Sequence, residues 1–157
     1  MENSRNEHWL IRIGDGVHFI NSSKFCIWGI DSKKKSNTNK FIKDAKENDK
    51  LWFIKSNSKG KAIAVATFSK LKKRELGPLI NISLTNEELG WDKSEGDWDY
   101  EVHYKYLYNL SELDILTKIQ SARSIRKYSD NINKIDFNLY NEYDNIVKYS
   151  RVTNKFI

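Results

Sequence analysis

Hydrophobic and polar positions form short blocks along this chain, and the clearest block has a period of two. Every second position from 100 to 108 is Tyr or Val, and the positions between them begin with Glu101, His103 and Lys105. Successive side chains of a strand point to opposite faces of the sheet. The block therefore predicts a strand with one Tyr-rich face.

Apolar runs predict four further strands. His8–Ile13 ends at a Gly-Asp-Gly turn, and Phe25–Ile30 leads into a polar, basic loop. Leu51–Ile54 and Ala62–Phe68 are separated by the turn-forming residues Ser56–Gly60. The last two runs therefore predict a central hairpin.

Two segments carry apolar residues at helical spacing. Residues 39–46 predict a short helix, and residues from about 136 to 149 predict a terminal amphipathic helix. Since strands and helices do not strictly alternate, the expected fold class is α+β with a curled, mostly antiparallel sheet. The length suits a single domain, residues 1–157, in which 129–157 form a C-terminal helical extension.

Composition narrows the class of partner. A net charge of +6 and a pI of about 9.2 favour anionic partners such as nucleic acid, although plain solubility accounts for such a charge equally simply. Cys26 is the single cysteine, which excludes an internal disulfide. No apolar run approaches the roughly 20 residues that span a bilayer. We expect an intracellular protein, cytoplasmic or nuclear, without membrane partners.

Enzyme signatures are mostly missing. The three histidines, His8, His18 and His103, are too scattered for a helix-borne metal pair, and no Gly-rich loop ends in Gly-Lys-Ser or Gly-Lys-Thr. Cys26 lies inside an apolar run, where a thiol behaves as a small buried hydrophobe. We therefore expect no catalytic residues, no metal and no cofactor.

One carboxylate cluster keeps a nuclease as the least favoured alternative. Asp97, Asp99 and Glu101 are close enough in sequence to bind Mg²⁺ together. Acidic residues at alternate positions before a strand more often form its solvated face.

Aromatic residues beside basic and small polar ones are the remaining candidate chemistry. Trp28 and Trp91 each end an apolar segment and enter a polar loop. Two such rings sandwich a flat base, and stacking contributes about 1–3 kcal/mol per base. For either indole alone, capping the hydrophobic core is the simpler interpretation.

The order of the segments resembles that of YTH and EVE domains. Phe25-Cys26-Ile27-Trp28-Gly29-Ile30-Asp31-Ser32 resembles the YTH strand that ends in a tryptophan, and residues 39–45 resemble the helix that follows. Residues 51–56 and 62–68 are similar to the paired strands of both families, and the Trp91 loop is similar to the second tryptophan loop. The resemblance covers residues 9–128 but lacks the Lys-Ser-Glu-Pro pattern of EVE domains.

This resemblance implies a PUA-like β-barrel with short flanking helices and a non-catalytic reader of modified bases. YTH domains recognise N6-methyladenine in RNA, and many EVE-type domains recognise modified bases in DNA, so the polymer stays open. Trp28 would be one wall of an aromatic cage and Trp91 or Trp98 the other. The candidates for hydrogen bonds to the base edge are Asp31, Ser32 and Asn39.

Basic residues supply the expected phosphate contacts, which carry no sequence information. These residues are Lys33, Lys34, Lys35, Lys72, Lys73, Arg74, Arg123, Arg126 and Lys127. An alternative of another class is a protein-interaction module that dimerises through a face formed by Tyr100, Tyr104 and Tyr108, because Tyr is enriched at interfaces.

Overall fold

The computed structural model describes residues 6–30, 36–55, 62–74, 88–89, 99–110, 132–135, 139–149 and 151–152. Its strands are β1 His8–Arg12, β2 Ile27–Ile30, β3 Lys50–Ile54, β4 Ala62–Lys73, β5 Tyr100–Asn109 and β6 Ile132–Ile135. Its helices are α1 Val17–Ser23, α2 Ser36–Asp44 and the C-terminal helix Tyr140–Tyr149, here called α3.

The six strands form one curled sheet in the order β2-β5-β4-β3-β1-β6. β1 and β3 run parallel, and the other neighbouring pairs are antiparallel. The α+β class and the mostly antiparallel sheet are therefore confirmed. The parallel pair follows from chain direction, because α1, β2 and α2 connect β1 to β3 and return the chain to the same end of the sheet.

Each face of the sheet has its own hydrophobic core. Phe19 of α1 and Phe41 of α2 belong to one cluster, together with Leu51 and Phe53 of β3. Ile146 of α3 belongs to a second cluster. Because side chains alternate along β3, Trp52 joins the α3 cluster while its neighbours join the other. We call the two sides the α1/α2 face and the α3 face.

A bulge in β5 changes the predicted Tyr-rich face. Val65 pairs with Tyr108 and Thr67 pairs with Lys105, so β5 carries an extra residue here, and Tyr106 has a left-handed φ of 53°. Tyr104 consequently packs on the α1/α2 face, whereas Tyr108 packs on the α3 face. The prediction that one alternating face continues through position 108 is wrong for this reason.

Several boundaries differ from those expected from the sequence. α1 was not predicted, because its sequence Val-His-Phe-Ile-Asn-Ser-Ser buries a single large apolar side chain, Phe19. β4 continues beyond the predicted apolar run, which ends at Phe68, to Lys73, so the strand includes Lys70, Lys72 and Lys73. Within the segment expected to be a helical extension, β6 pairs with β1 before α3 begins.

Candidate nucleic-acid interface

Trp28 lies at the margin of the core on the α1/α2 face. It pairs with Val102 across β2 and β5, and its side chain is half-buried against the first cluster. Its ring meets Phe19 edge-on, with 6.2 Å between centroids and 63° between planes. The indole therefore caps the core with part of its surface and leaves another part accessible.

The rings beneath Trp28 hold it in place. Phe19 is fully buried and lies 4.5 Å from Phe53 and 6.4 Å from Tyr104, measured between ring centroids. The Phe19 and Tyr104 rings are within 20° of parallel. Trp28 is therefore the outermost member of a packed aromatic cluster whose inner members cannot move independently.

Tyr104 places a polar group inside that cluster. Its side chain is 4% exposed, and its hydroxyl has no hydrogen-bond partner among the residues that the structure describes. Burial, with a smaller contribution from Cys26, raises the pKa of Tyr104 well above its ordinary value, so the group is a neutral hydroxyl.

Cys26 stands next to this cluster in a left-handed conformation with a φ of 57°, and its carbonyl accepts a hydrogen bond of 3.1 Å from the Tyr104 backbone N–H. Burial raises the pKa of the Cys26 thiol. An activated nucleophile requires the opposite shift, which agrees with the structural interpretation of this cysteine.

Among the candidates for hydrogen bonds to a base, the structure describes Asn39. Its side chain is exposed on α2, the helix that packs Phe41 edge-on against Trp9 with 5.0 Å between centroids. The remaining base-binding candidates, Asp31, Ser32, Trp91 and Trp98, lie outside the described residues.

The basic candidates at the end of β4 divide into three environments. Lys73 pairs with Tyr100, and its side chain is exposed on the α1/α2 face. Lys72 pairs with Glu101 and is half-buried on the α3 face. Arg74 is 9% exposed. The other phosphate candidates, Lys33, Lys34, Lys35, Arg123, Arg126 and Lys127, lie outside the described residues.

Arg74 is directed toward an internal carboxylate. Its Nε lies 3.5 Å from Oε2 of Glu101, which is 2% exposed, and Oε1 of Glu101 lies 2.8 Å from Nε2 of His103. A buried carboxylate is stable only with such partners. The Arg74 charge therefore stabilises Glu101, which distinguishes Arg74 from the exposed Lys73.

The same contacts bear on the nuclease alternative. Glu101 is occupied by Arg74 and His103, and the Asp99 carbonyl accepts a 2.8 Å hydrogen bond from the Arg74 backbone N–H. Asp97 lies outside the described residues. Across the part of the chain that the structure describes, no three His, Cys, Asp or Glu side chains are grouped to hold a metal ion.

The Tyr-rich interface of the alternative function does not exist as a surface. Tyr104 is 4% exposed and Tyr108 is 7% exposed, because they fill the two opposite cores. Tyr106, which the bulge turns outward, is 54% exposed instead. The prediction of an interface made of Tyr100, Tyr104 and Tyr108 is therefore wrong.

A cleft of about 510 Å³ lies away from Trp28, beside Trp9, Lys43, Asp49 and Lys134. Three donors already occupy the Asp49 carboxylate at its base: the backbone N–H groups of Glu7 and Lys46 and the Trp9 indole N–H. This cleft has a structural explanation and is not the candidate site. No helix in the described ranges is long and apolar enough to cross a membrane.

Comparison with known proteins shows the fold. No family model and no curated protein matches this chain. The YTH domain of Zygosaccharomyces rouxii MRB1, solved in complex with N6-methyladenosine RNA, aligns with a TM-score of 0.54 and 14% identity, over 99% of this chain and 90% of that one. The chain has the fold of a YTH domain. The PUA-like fold implied by the order of segments is thereby confirmed.

Two further solved structures are less similar. A protein from Leishmania major aligns with a TM-score of 0.48 and 14% identity, over 92% of this chain and 94% of that one. An ASCH protein from Zymomonas mobilis aligns with a TM-score of 0.46 and 12% identity, over 92% of this chain and 96% of that one.

Sequence reasoning missed two features of this site. Phe19, which braces Trp28, lies in a helix without apolar periodicity, and the one local signal for that helix is the preceding Gly14-Asp15-Gly16 turn. Tyr104 was predicted to lie on an exposed face, because period-two alternation does not reveal which face of a strand packs against the core.

Proposed function

We propose that this chain is a non-catalytic nucleic-acid reader that holds a nucleobase, in particular a methylated or otherwise modified one, against Trp28. The observation that carries the proposal is the half-buried Trp28 indole, set on a braced aromatic cluster in a fold shared with a YTH domain solved in complex with N6-methyladenosine RNA.

The packing of Trp28 suits stacking of a base. A ring braced by Phe19 loses little conformational freedom when a ligand binds, so more of the stacking energy remains as affinity. A methyl group on the base would add apolar area against the indole, at about 25 cal/mol per Å² removed from water. In this proposal Trp91 or Trp98 forms the opposite wall.

Polar and basic side chains complete the proposed interface. Asp31, Ser32 and Asn39 would hydrogen-bond the base edge. Lys73 is exposed on the same face of the sheet as Trp28 and would contact phosphate there, as would the candidate lysines and arginines that lie outside the described residues. Lys72, which is half-buried on the α3 face, would contact phosphate from the other side of the sheet. Arg74 is left out of this set, because its guanidinium stabilises Glu101.

Fluorescence anisotropy with labelled single strands tests the proposal. RNA and DNA oligonucleotides, each with adenine or N6-methyladenine at one position, are titrated at several salt concentrations. Since one stacked base contributes about 1–3 kcal/mol, Trp28→Ala is expected to weaken binding by about 5- to 150-fold and to remove any preference for the methyl group.

Two control variants separate stacking from folding. Trp28→Phe keeps a ring and is expected to lose less affinity than Trp28→Ala. Phe25→Ala removes a ring that is 39% exposed one residue before the Cys26 turn, and it is expected to bind as wild type. If folded Trp28→Ala binds every oligonucleotide as tightly as wild type, or if wild type binds none at low salt, the proposal fails.

A further inference from the structure

A second cluster of cationic and hydroxyl groups lies on the α3 face, behind the sheet from Trp28. Lys50 pairs with Thr67 across β3 and β4, and Thr67 pairs with Lys105 across β4 and β5. These three residues therefore form a row across the sheet. Lys50 shares a face with Trp52 of the α3 cluster, whereas Trp28 packs against the other cluster.

The Lys50 ammonium is fixed by a hydroxyl group and a ring. Its Nζ lies 3.3 Å from Oγ1 of Thr67 and 4.5 Å from the centroid of the Tyr143 ring. Thr67 Oγ1 and Tyr143 Oη are in turn 3.3 Å apart. A cation, a threonine hydroxyl and a tyrosine hydroxyl thus meet between the sheet and α3, and all three can donate hydrogen bonds to an anion.

Like charges are brought together at this place. Burial lowers the pKa of Lys50, and the positive charge of Lys105 lowers it further, while the carboxylates of Asp49 and Asp144 act in the opposite direction. Lys50 on β3 and Lys105 on β5 flank Thr67 of β4 on the same face of the sheet, and their two positive charges repel each other. An anion bound between them would relieve this repulsion.

The surroundings extend this row into a patch. Lys70 is exposed, and it pairs with His103, which alternation places on the same face as Lys105. Tyr106 is 54% exposed beside this row, with the Lys105 Nζ 5.3 Å from its ring centroid. We call Lys50, Lys70, Lys105 and Tyr106 the α3-face patch.

The composition of the patch favours nucleic acid over an acidic peptide. Lysines on the three successive strands β3, β4 and β5 suit a regularly charged phosphate backbone, and an exposed tyrosine ring offers a surface on which an unpaired base stacks. β2, the strand that carries Trp28, is at one edge of the described sheet and pairs with β5. One strand of nucleic acid could thus pass from Trp28 round β2 to Lys105.

We propose that the α3-face patch is a second contact surface for the same polymer, at which lysines bind phosphodiester groups and Tyr106 stacks on a base. The identity of the polymer rests on the function proposed above. The patch predicts that a long oligonucleotide contacts both faces of the sheet, whereas a short one around the recognised base contacts only the Trp28 face.

The test compares oligonucleotides of about 4 and about 15 nucleotides, the two ends of the usual site-size range. The variant is Lys70→Gln/Lys105→Gln, which leaves the half-buried Lys50 in place. Its control is Lys43→Gln/Lys46→Gln, which removes the same charge from exposed positions on and just after α2. Lys70→Gln/Lys105→Gln should bind the long strand about 5- to 20-fold more weakly, with a salt slope smaller by about 1.4, and the short strand unchanged.

Tyr106→Ala is expected to weaken binding of the long strand about 5-fold or more without changing the salt slope, because it removes stacking and not charge. Circular dichroism checks that each variant is folded.

Three results would overturn the second surface: equal weakening by the Lys43/Lys46 control, equal weakening of the short strand, and competition by polyglutamate as effective as that by nucleic acid. If Trp28→Ala has no effect while Lys70→Gln/Lys105→Gln weakens the long strand, the base site fails and the α3-face patch stands. If no oligonucleotide binds wild type, both proposals fail.

Discussion

Asp49 joins three parts of the fold through one buried carboxylate, and its removal should be costly. Oδ1 accepts a 2.9 Å hydrogen bond from the Glu7 backbone N–H. Oδ2 accepts hydrogen bonds of 3.0 Å from the Trp9 indole and 2.9 Å from the Lys46 backbone N–H. The side chain is 1% exposed. It thereby fixes the start of β1 and the segment after α2 to the start of β3.

The magnitude follows from the burial of each donor. In Asp49→Ala the Trp9 indole N–H stays buried without an acceptor, which costs about 2 kcal/mol. The N–H groups of Glu7 and Lys46 are partly buried and regain some hydration, so they cost about 1 kcal/mol each. The expected loss is about 4 kcal/mol, a large share of the roughly 5–15 kcal/mol that stabilises a domain.

Asp49→Asn is the matched variant. One oxygen can still accept two of the three hydrogen bonds, but the new NH₂ group then faces the third donor, and we expect a loss of about 2 kcal/mol. Urea unfolding followed by circular dichroism measures both variants. A double-mutant cycle with Trp9→Phe isolates the indole contact, with a coupling of about 1–2 kcal/mol. A loss below about 1 kcal/mol in Asp49→Ala would refute the reasoning.

Three further predictions concern buried polar groups and the first turn. Burial, and then the charge of Lys50, lower the pKa of His8 to about 4 from 6.5. Folding therefore favours the neutral ring, whose Nδ1 accepts a 3.0 Å hydrogen bond from the Trp52 indole. The contribution of the neutral His8 ring to the free energy of unfolding should be fully present above about pH 6.5. The free energy of unfolding should fall by about 3 kcal/mol as the pH drops toward 4. In urea titrations His8→Gln should flatten this pH profile. Tyr104→Phe removes the buried hydroxyl and should raise the free energy of unfolding by about 1 kcal/mol in urea, and a decrease would mean that the hydroxyl is hydrogen-bonded in solution. Gly16→Ala should cost about 2 kcal/mol in thermal melts, because φ is +90° and the new Cβ would lie 3.3 Å from a Lys55 side-chain carbon. Gly14→Ala, with φ of +59° and nothing within 4 Å, should cost about 1 kcal/mol, and equal losses would contradict a contribution from the contact.

Local patterns determined β1 to β5 and two of the helices. Apolar runs at residues 8–13, 51–54 and 62–68 became β1, β3 and the buried part of β4, because short apolar runs bounded by turn-forming residues suit buried strands. The order of segments around Trp28 also indicated the fold that the comparison with a YTH domain confirmed. These features depend on near neighbours in the chain, so they can be read from the sequence.

Pairing between distant residues was decided only in the tertiary structure. The bulge at Tyr106 places Tyr108 on the opposite face of the sheet from Tyr104. The pairing of β4 with β5 brings the Arg74 guanidinium to the Glu101 carboxylate. The row of Lys50, Thr67 and Lys105 likewise exists only because three strands are in this register. Strand register is set by turns, bulges and packing far from each residue, so a chain that reveals its strands does not reveal which charges those strands bring together.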